Sequence, residues 1–172
     1  MLVDMVNQHK ATSRVVVVDE NDNVIGVKDR SAITHSDIYR VSSLWVKNSA
    51  GDVLLAQRKH TKKHDPGKWG PAAAGTIEEG ETYQSNIVHE AQEEIGLQNI
   101  APKSGPKVRV RGEYNFFDQW YILTVDKAAS DFTISEEEVE QVKWFTRAEL
   151  ADELQKRPEQ FLPDIGWALE TL

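Results

Sequence analysis

Cysteine is absent from the 172-residue sequence. That excludes disulfide staples, thiolate metal sites and a catalytic thiol, and it fits a reducing compartment. Long apolar runs are also missing. Nowhere do about 18 apolar residues follow one another, so no membrane span is expected. Residues 1–12 hold no apolar stretch suited to a signal-peptide core, so the expected location is the cytoplasm. Positive charge is in deficit: 20 Lys and Arg stand against 28 Asp and Glu, a net charge of −8. Such a field repels nucleic-acid phosphates, so neither nucleic acid nor membrane is an expected partner. A phosphorylated small molecule can still bind if a divalent cation bridges it to the protein. Hydrophobic residues make up 40% and charged residues 28%, which suits a globular chain of one domain with a substantial core.

Residues 14–18 and 24–27 are β-branched and flank the Asp/Asn-rich residues 19–23, a pattern that predicts a β-hairpin. Residues 42–47 and 53–58 repeat it around 48–52. Residues 59–70 hold Pro66, Gly67 and Gly70 and read as a locally basic loop. Residues 81–95 lack Gly and Pro and place Ile87, Val88, Ala91 and Ile95 at helical spacing. With Gly96 as a stop signal, they predict a helix. Residues 100–106 read as a connection, 108–114 and 120–125 as strands around a 115–119 turn, and 141–145 as a further strand. Thr146 and Glu149 have the spacing of a capping box opening a helix that ends before Pro158, and Pro163 introduces a last helix. No repeat or linker divides the chain. The expectation is a single domain over residues 1–172 with an N-terminal hairpin extension at about 13–30. The order of elements predicts an α+β fold, an α/β/α sandwich with a mixed sheet.

The chemistry concentrates between Gly75 and Leu97. On a helix Glu90, Glu93 and Glu94 share a face, with Glu81 at its entrance. Like charges at this spacing oppose the helix by a few tenths of a kcal/mol per pair. A divalent cation would relieve that repulsion, and Mg²⁺ favours shared carboxylate and phosphate oxygens. Glu-x-x-Glu-Glu alone is more often a solvated acidic face.

The longer string resembles the Nudix box, a Gly, five residues, Glu, seven residues, Arg-Glu, aliphatic, any residue, Glu-Glu, any residue, Gly, aliphatic. Gly75, Glu81, Glu90, Glu93, Glu94, Gly96 and Leu97 fall in register, Ala91 suits its small apolar position, and His89 replaces the Arg. The resemblance continues through Pro66-Gly67-Lys68-Trp69, Ala74-Gly75, and Trp144-Phe145 leading to Glu149-Leu150. Residues 19 and 42–58 are similar to the branch that includes type I isopentenyl diphosphate isomerase. In all, the likeness covers most of residues 14–170. It implies the Nudix α/β/α sandwich and a divalent metal, Mg²⁺ or Mn²⁺, held by Glu90, Glu93, Glu94 and the Gly75 carbonyl. It also implies a supporting role for Glu81 and a carboxylate from a later loop, read as Glu138, with Glu136 and Glu137 as competitors. His89 lacks the fixed fork and permanent charge of Arg. It is expected to hydrogen-bond a box carboxylate and join the catalytic set with a lower rate or shifted pH optimum.

Substrate contacts are expected from Arg58, Lys63 and Trp69. His60, Lys62 and His64 share the basic loop, where solvation is the commoner fate, and His35 and Arg40 precede a strand. Trp69 and Trp120 stack on a base, flank the cleft or pack in the core, the last being more usual. The activity implied is hydrolysis of a diphosphate linkage in a nucleoside diphosphate derivative or related organic diphosphate, by water attack at phosphorus. Two alternatives stand beside it. Isomerase-like chemistry is disfavoured because its cysteine and histidine positions fall at Ala74 and Thr76. A non-catalytic nucleotide- or metabolite-binding module is kept open by His89. A homodimer is compatible with the sequence, which does not specify one.

Overall fold

The structure, a computed structural model, describes residues 13–172; the expectation for residues 1–12 lies outside the described residues. The chain opens with β1 (Arg14–Val18), β2 (Val24–Asp29), β3 (Ile38–Lys47), β4 (Val53–Arg58), β5 (Trp69–Gly70) and β6 (Ala73–Thr76). Helix α1 (Tyr83–Ile95) follows, then β7 (Lys103–Val110), β8 (Phe116–Thr124), β9 (Val139–Phe145), α2 (Arg147–Lys156) and α3 (Ile165–Thr171). Among the described residues no helix is long and apolar enough to cross a membrane.

Strand β3 organises the sheet. Along one edge it runs parallel to β8, from Tyr39 beside Phe116 to Lys47 beside Thr124. Along the other it meets β1, β6 and β4 in turn, all antiparallel. A strand covered on both faces must be apolar in both registers, and Leu44, Trp45 and Val46 are fully buried. Leu44 and Val46 face one core with Leu54, Ile87, Ala91 and Ile95, beneath α1. Trp45 faces the other, with Leu55, Trp120, Phe145, Leu150 and Ile165, beneath α2 and α3. The alternation of strand side chains thus separates two helical layers about one mixed sheet, the α+β sandwich the sequence predicts.

The first hairpin joins this sheet and is also tied down at its turn. Asp22 accepts hydrogen bonds from Arg40 Nε at 2.7 Å, Lys107 Nζ at 2.5 Å and the Tyr83 hydroxyl at 3.1 Å. Burial works against the Asp22 charge, but Lys107 and Arg40 hold its carboxyl below the usual carboxylate range. Arg40 is therefore a structural cation, sealed against the hairpin.

Residues 115–119, read as a turn, mostly lie in β8; the turn is at 111–115, where Gly112 adopts φ 140°. The polar residues are carried inside the strand by specific partners. Ser43 donates to Asp118 at 3.0 Å, and Gln119 donates to the Gly105 carbonyl at 2.8 Å. Residues 103–106, read as a connection, belong to β7, whose register slips between Ser104 and Lys107. Pro106, which has no N–H to offer a ladder, falls within that slip. At α2 only half of the capping box forms. Thr146 accepts the Glu149 N–H at 3.1 Å, but the Glu149 carboxylate turns to Lys143 Nζ at 2.8 Å.

Asp118 is nearly inaccessible, and its Oδ1 has no hydrogen-bond partner. Burial pushes its carboxyl well above the usual value of 3.8, Asp164 adds to the effect, and the Ser43 hydrogen bond opposes it. A carboxyl that holds its proton more tightly when folded supports the fold at low pH. That support fades as the pH rises from the unfolded value towards the folded one. The melting temperature of Asp118→Asn, measured relative to the parent, should therefore rise as the pH is taken from 3 to 8. A difference that stays constant across this range would contradict the assignment.

Candidate active site

Three residues one helical turn apart join α1 to β6. Asn86 Nδ2 donates to the Thr76 carbonyl at 3.2 Å. Glu90 lies against Gly75, so closely that a Cβ on that glycine would overlap its carboxylate. Glu94 accepts the Ala74 N–H at 3.1 Å. One face of α1, stepping by four residues, thus meets three successive residues of the strand. Asn86 is buried and also accepts the Ser42 hydroxyl at 2.6 Å. Glu81 braces the approach: its Oε2 receives the Glu78 N–H at 2.9 Å and Asn86 Nδ2 at 2.8 Å.

The helix ends fix this register. Thr82 accepts the Ser85 N–H at 3.0 Å, and Ser85 Oγ accepts the Thr82 N–H at 2.9 Å, closing a capping box. Gly96 closes the other end at φ 70°, with the Leu97 N–H reaching back to the Ala91 carbonyl at 3.0 Å.

This face borders an open cleft of about 1350 Å³ that Glu81, Glu90, Glu93, Glu94 and Glu138 line. Arg58, Lys63 and His64 line it too, as do Tyr39, Tyr114 and Phe116. Arg58 sits at the end of β4, where its pairing with β9 slips register. Its guanidinium donates to the His64 carbonyl at 3.1 and 3.0 Å. The His64 ring meets Tyr114 edge-on, with centroids 5.9 Å apart. Tyr39 packs on Phe116 at 5.5 Å, and burial pushes its hydroxyl up to about 12, so it remains a neutral donor. A smaller recess of about 40 Å³, roomy enough for water, brings Arg58, Ala74, Glu94 and Glu138 together.

Of the residues singled out from the sequence, Arg58, Lys63, Gly75, His89, Glu90, Glu93, Glu94 and Glu138 all border the cleft. Glu93 is exposed, and His89 Nδ1 stands 3.5 Å from Glu81 Oε1 with most of its side chain in solvent. Trp69 is a correction. It is buried, edge-on to Phe145 at 5.3 Å, and belongs to the core beneath α2 and α3. Trp120 lies in the same core, between Trp45 and Trp167. His60 packs on Gly67, whereas His35 reaches the cleft. Sequence reasoning missed Asn86, Tyr39, Tyr114 and Phe116. Asn86 alone left a signal, as a polar residue in phase with Glu90 and Glu94.

The donor set, hard carboxylate oxygens with a backbone carbonyl, is that of Mg²⁺ or Mn²⁺. Gly75, free of a Cβ, leaves its backbone open to the same Glu90 carboxylate. Among the described residues no three such side chains converge on one point.

Comparison with known proteins agrees with this geometry. Residues 38–165 match the NUDIX domain, and the chain belongs to that family. It is an enzyme of the Nudix hydrolase class. An uncharacterised Nudix hydrolase of Yersinia pestis is 28% identical over 96% of this chain and 89% of its own length. One from Listeria monocytogenes is 32% identical over 74% of this chain and 73% of its own. Among solved structures, a Deinococcus radiodurans protein superposes with a TM-score of 0.76 at 22% identity, covering 91% of this chain and 97% of its own.

The contact at Gly75 makes a prediction. The atoms that a Cβ would meet belong to the movable Glu90 side chain, so Gly75→Ala should fold but displace that carboxylate. Turnover should fall by about 100-fold, the scale of small misplacements in catalytic groups, with far-ultraviolet circular dichroism unchanged. Full activity would show that the close approach has no functional role.

Proposed function

We propose that this enzyme hydrolyses a diphosphate linkage in a nucleoside diphosphate derivative or related organic diphosphate, by attack of water at phosphorus. The observation that carries the reading is the acidic face of α1, with Glu90 and Glu94 against β6, sharing one cleft with cationic and aromatic side chains. Glu90, Glu93 and Glu94, with the Gly75 carbonyl, would hold Mg²⁺ or Mn²⁺. Bound there, such a cation neutralises phosphate charge and makes a water molecule more acidic.

The remaining work falls to the chain's own groups. Arg58 and Lys63 bind the diphosphate oxygens, with Arg58 already oriented by the His64 carbonyl. Tyr39, Tyr114 and Phe116 offer flat apolar surface to the group beyond the diphosphate. Glu138 shares the small recess with Glu94 and takes a proton from the attacking water. His89, at ion-pair distance from Glu81 when protonated, helps to orient the box carboxylates. The Nudix domain of a Shewanella oneidensis protein, of the same fold with a TM-score of 0.61, is complexed with ADP-ribose. That supports a nucleoside diphosphate compound by analogy of fold.

The likeness of the hairpin around Asp19 and of residues 42–58 to the isopentenyl diphosphate isomerase branch enters this reading as scaffold only. Ala74 and Thr76 stand where that chemistry needs cysteine and histidine, and the chain has no cysteine.

The test is a panel of ADP-ribose, nucleoside di- and triphosphates, dinucleotides and isopentenyl diphosphate with Mg²⁺ or Mn²⁺, comparing the parent with Glu94→Gln. Release of phosphate or a monophosphate that falls on the order of 100-fold in the variant is expected, the scale of acid–base and metal-site losses. Hydrolysis indifferent to Glu94 would remove this site from the reaction. Interconversion of isopentenyl isomers would favour the isomerase instead.

A further inference from the structure

Two lysines follow one another in the basic loop, and the fold gives them different surroundings. Both line the cleft, and Lys63 is exposed there. Lys62 is mostly enclosed, and its ammonium pairs with the Glu138 carboxylate, itself only 15% exposed. The same loop is tied to the same segment twice more. The Lys59 N–H donates to the Glu138 carbonyl at 3.0 Å, and Lys59 Nζ stands 3.3 Å from Glu140. From Glu138 the connections continue to α1. Its N–H reaches the Ser135 carbonyl at 3.2 Å, and the Ser135 N–H reaches the Glu94 carbonyl at 2.9 Å. Loop, Glu138 and the glutamate helix therefore form one chain of hydrogen bonds, in which Lys62 grips the carboxylate itself.

We propose that Lys62 is a positioning residue for Glu138, not a ligand for substrate phosphate. It holds the carboxylate at the recess shared with Arg58 and Glu94. The proposal rests on the reading of Glu138 as the proton acceptor. A lysine bound to phosphate would act mainly on substrate affinity, whereas one that aims the acceptor acts on turnover.

The experiment is a double-mutant cycle of Lys62→Met and Glu138→Gln, with Lys62→Arg and Glu94→Gln as companions. ADP-ribose with Mg²⁺ is the probe, or the fastest-cleaved member of the panel if that is another compound. Lys62→Met should lower kcat about 10- to 100-fold and leave KM within about twofold, and Lys62→Arg should restore most of the loss. The double variant should be no slower than Glu138→Gln alone, because a lysine with nothing left to aim has no further effect. In the metal-free protein, hydrogen exchange at the Lys59 amide should quicken in Lys62→Met and return towards the parent rate in Lys62→Arg. A raised KM with kcat intact, losses that multiply in the double variant, or a fully active Glu138→Gln would each overturn the assignment. If Glu94→Gln abolishes turnover while Lys62→Met has no effect, only the role of Lys62 falls. If Glu94→Gln is itself active, the reading of the whole site falls with it.

Discussion

The contact between one face of α1 and the short strand β6 underlies the rest of the structure. A helix that places Asn86, Glu90 and Glu94 over Thr76, Gly75 and Ala74 brings backbone and carboxylates closer than most sequences allow. The absence of a Cβ at Gly75 makes the approach possible. Asn86 supplies the neutral polar contact, and Ile87, Ala91 and Ile95, on the adjoining face, supply the apolar burial that holds the helix down. Stability and function therefore draw on neighbouring faces of the same helix. Its buried stripe anchors it so that its acidic edge can stay crowded.

That crowding is unfavourable by itself, and the sheet contains it. β3 carries α1 on one face and α2 with α3 on the other, so α1 rests on a support that is packed from both sides. Its parallel pairing with β8 brings Tyr39 beside Phe116, and the turn before β8 brings Tyr114 to His64. The loop after β4 carries the cations to the same cleft. The acidic face of α1 and these cationic and aromatic side chains therefore line one cleft.

Much of this was legible in the sequence. Helix α1 could be read because Ile87, Ala91 and Ile95 keep helical period and Gly96 ends it, and the two hairpins because their turns are rich in Asp, Asn and Gly. The shared place of the glutamates and Gly75 at one cleft could be read because they lie within a single stretch of chain. What escaped is non-local. Asp118 and Gln119 look like turn residues until Ser43 and the Gly105 carbonyl are beside them. Trp69 looks like a cleft aromatic until Phe145 and Phe161 close around it. The aromatic wall of Tyr39, Tyr114 and Phe116 is assembled by the β3–β8 pairing, which no local pattern announces. Arg40, read as preceding a strand, lies within β3 and is claimed by Asp22 across the hairpin.

The central claim is that this helix face, once fixed to β6, gathers a cation and a diphosphate together. Anomalous diffraction from crystals grown with Mn²⁺ and a non-hydrolysable nucleoside diphosphate analogue tests it most directly. The account predicts an anomalous peak within ligand distance of Glu90 and Glu94, about 2 Å as for hard divalent ions, with the analogue's phosphates adjoining it. Manganese absent from this wall, with the analogue bound elsewhere on the molecule, would contradict it.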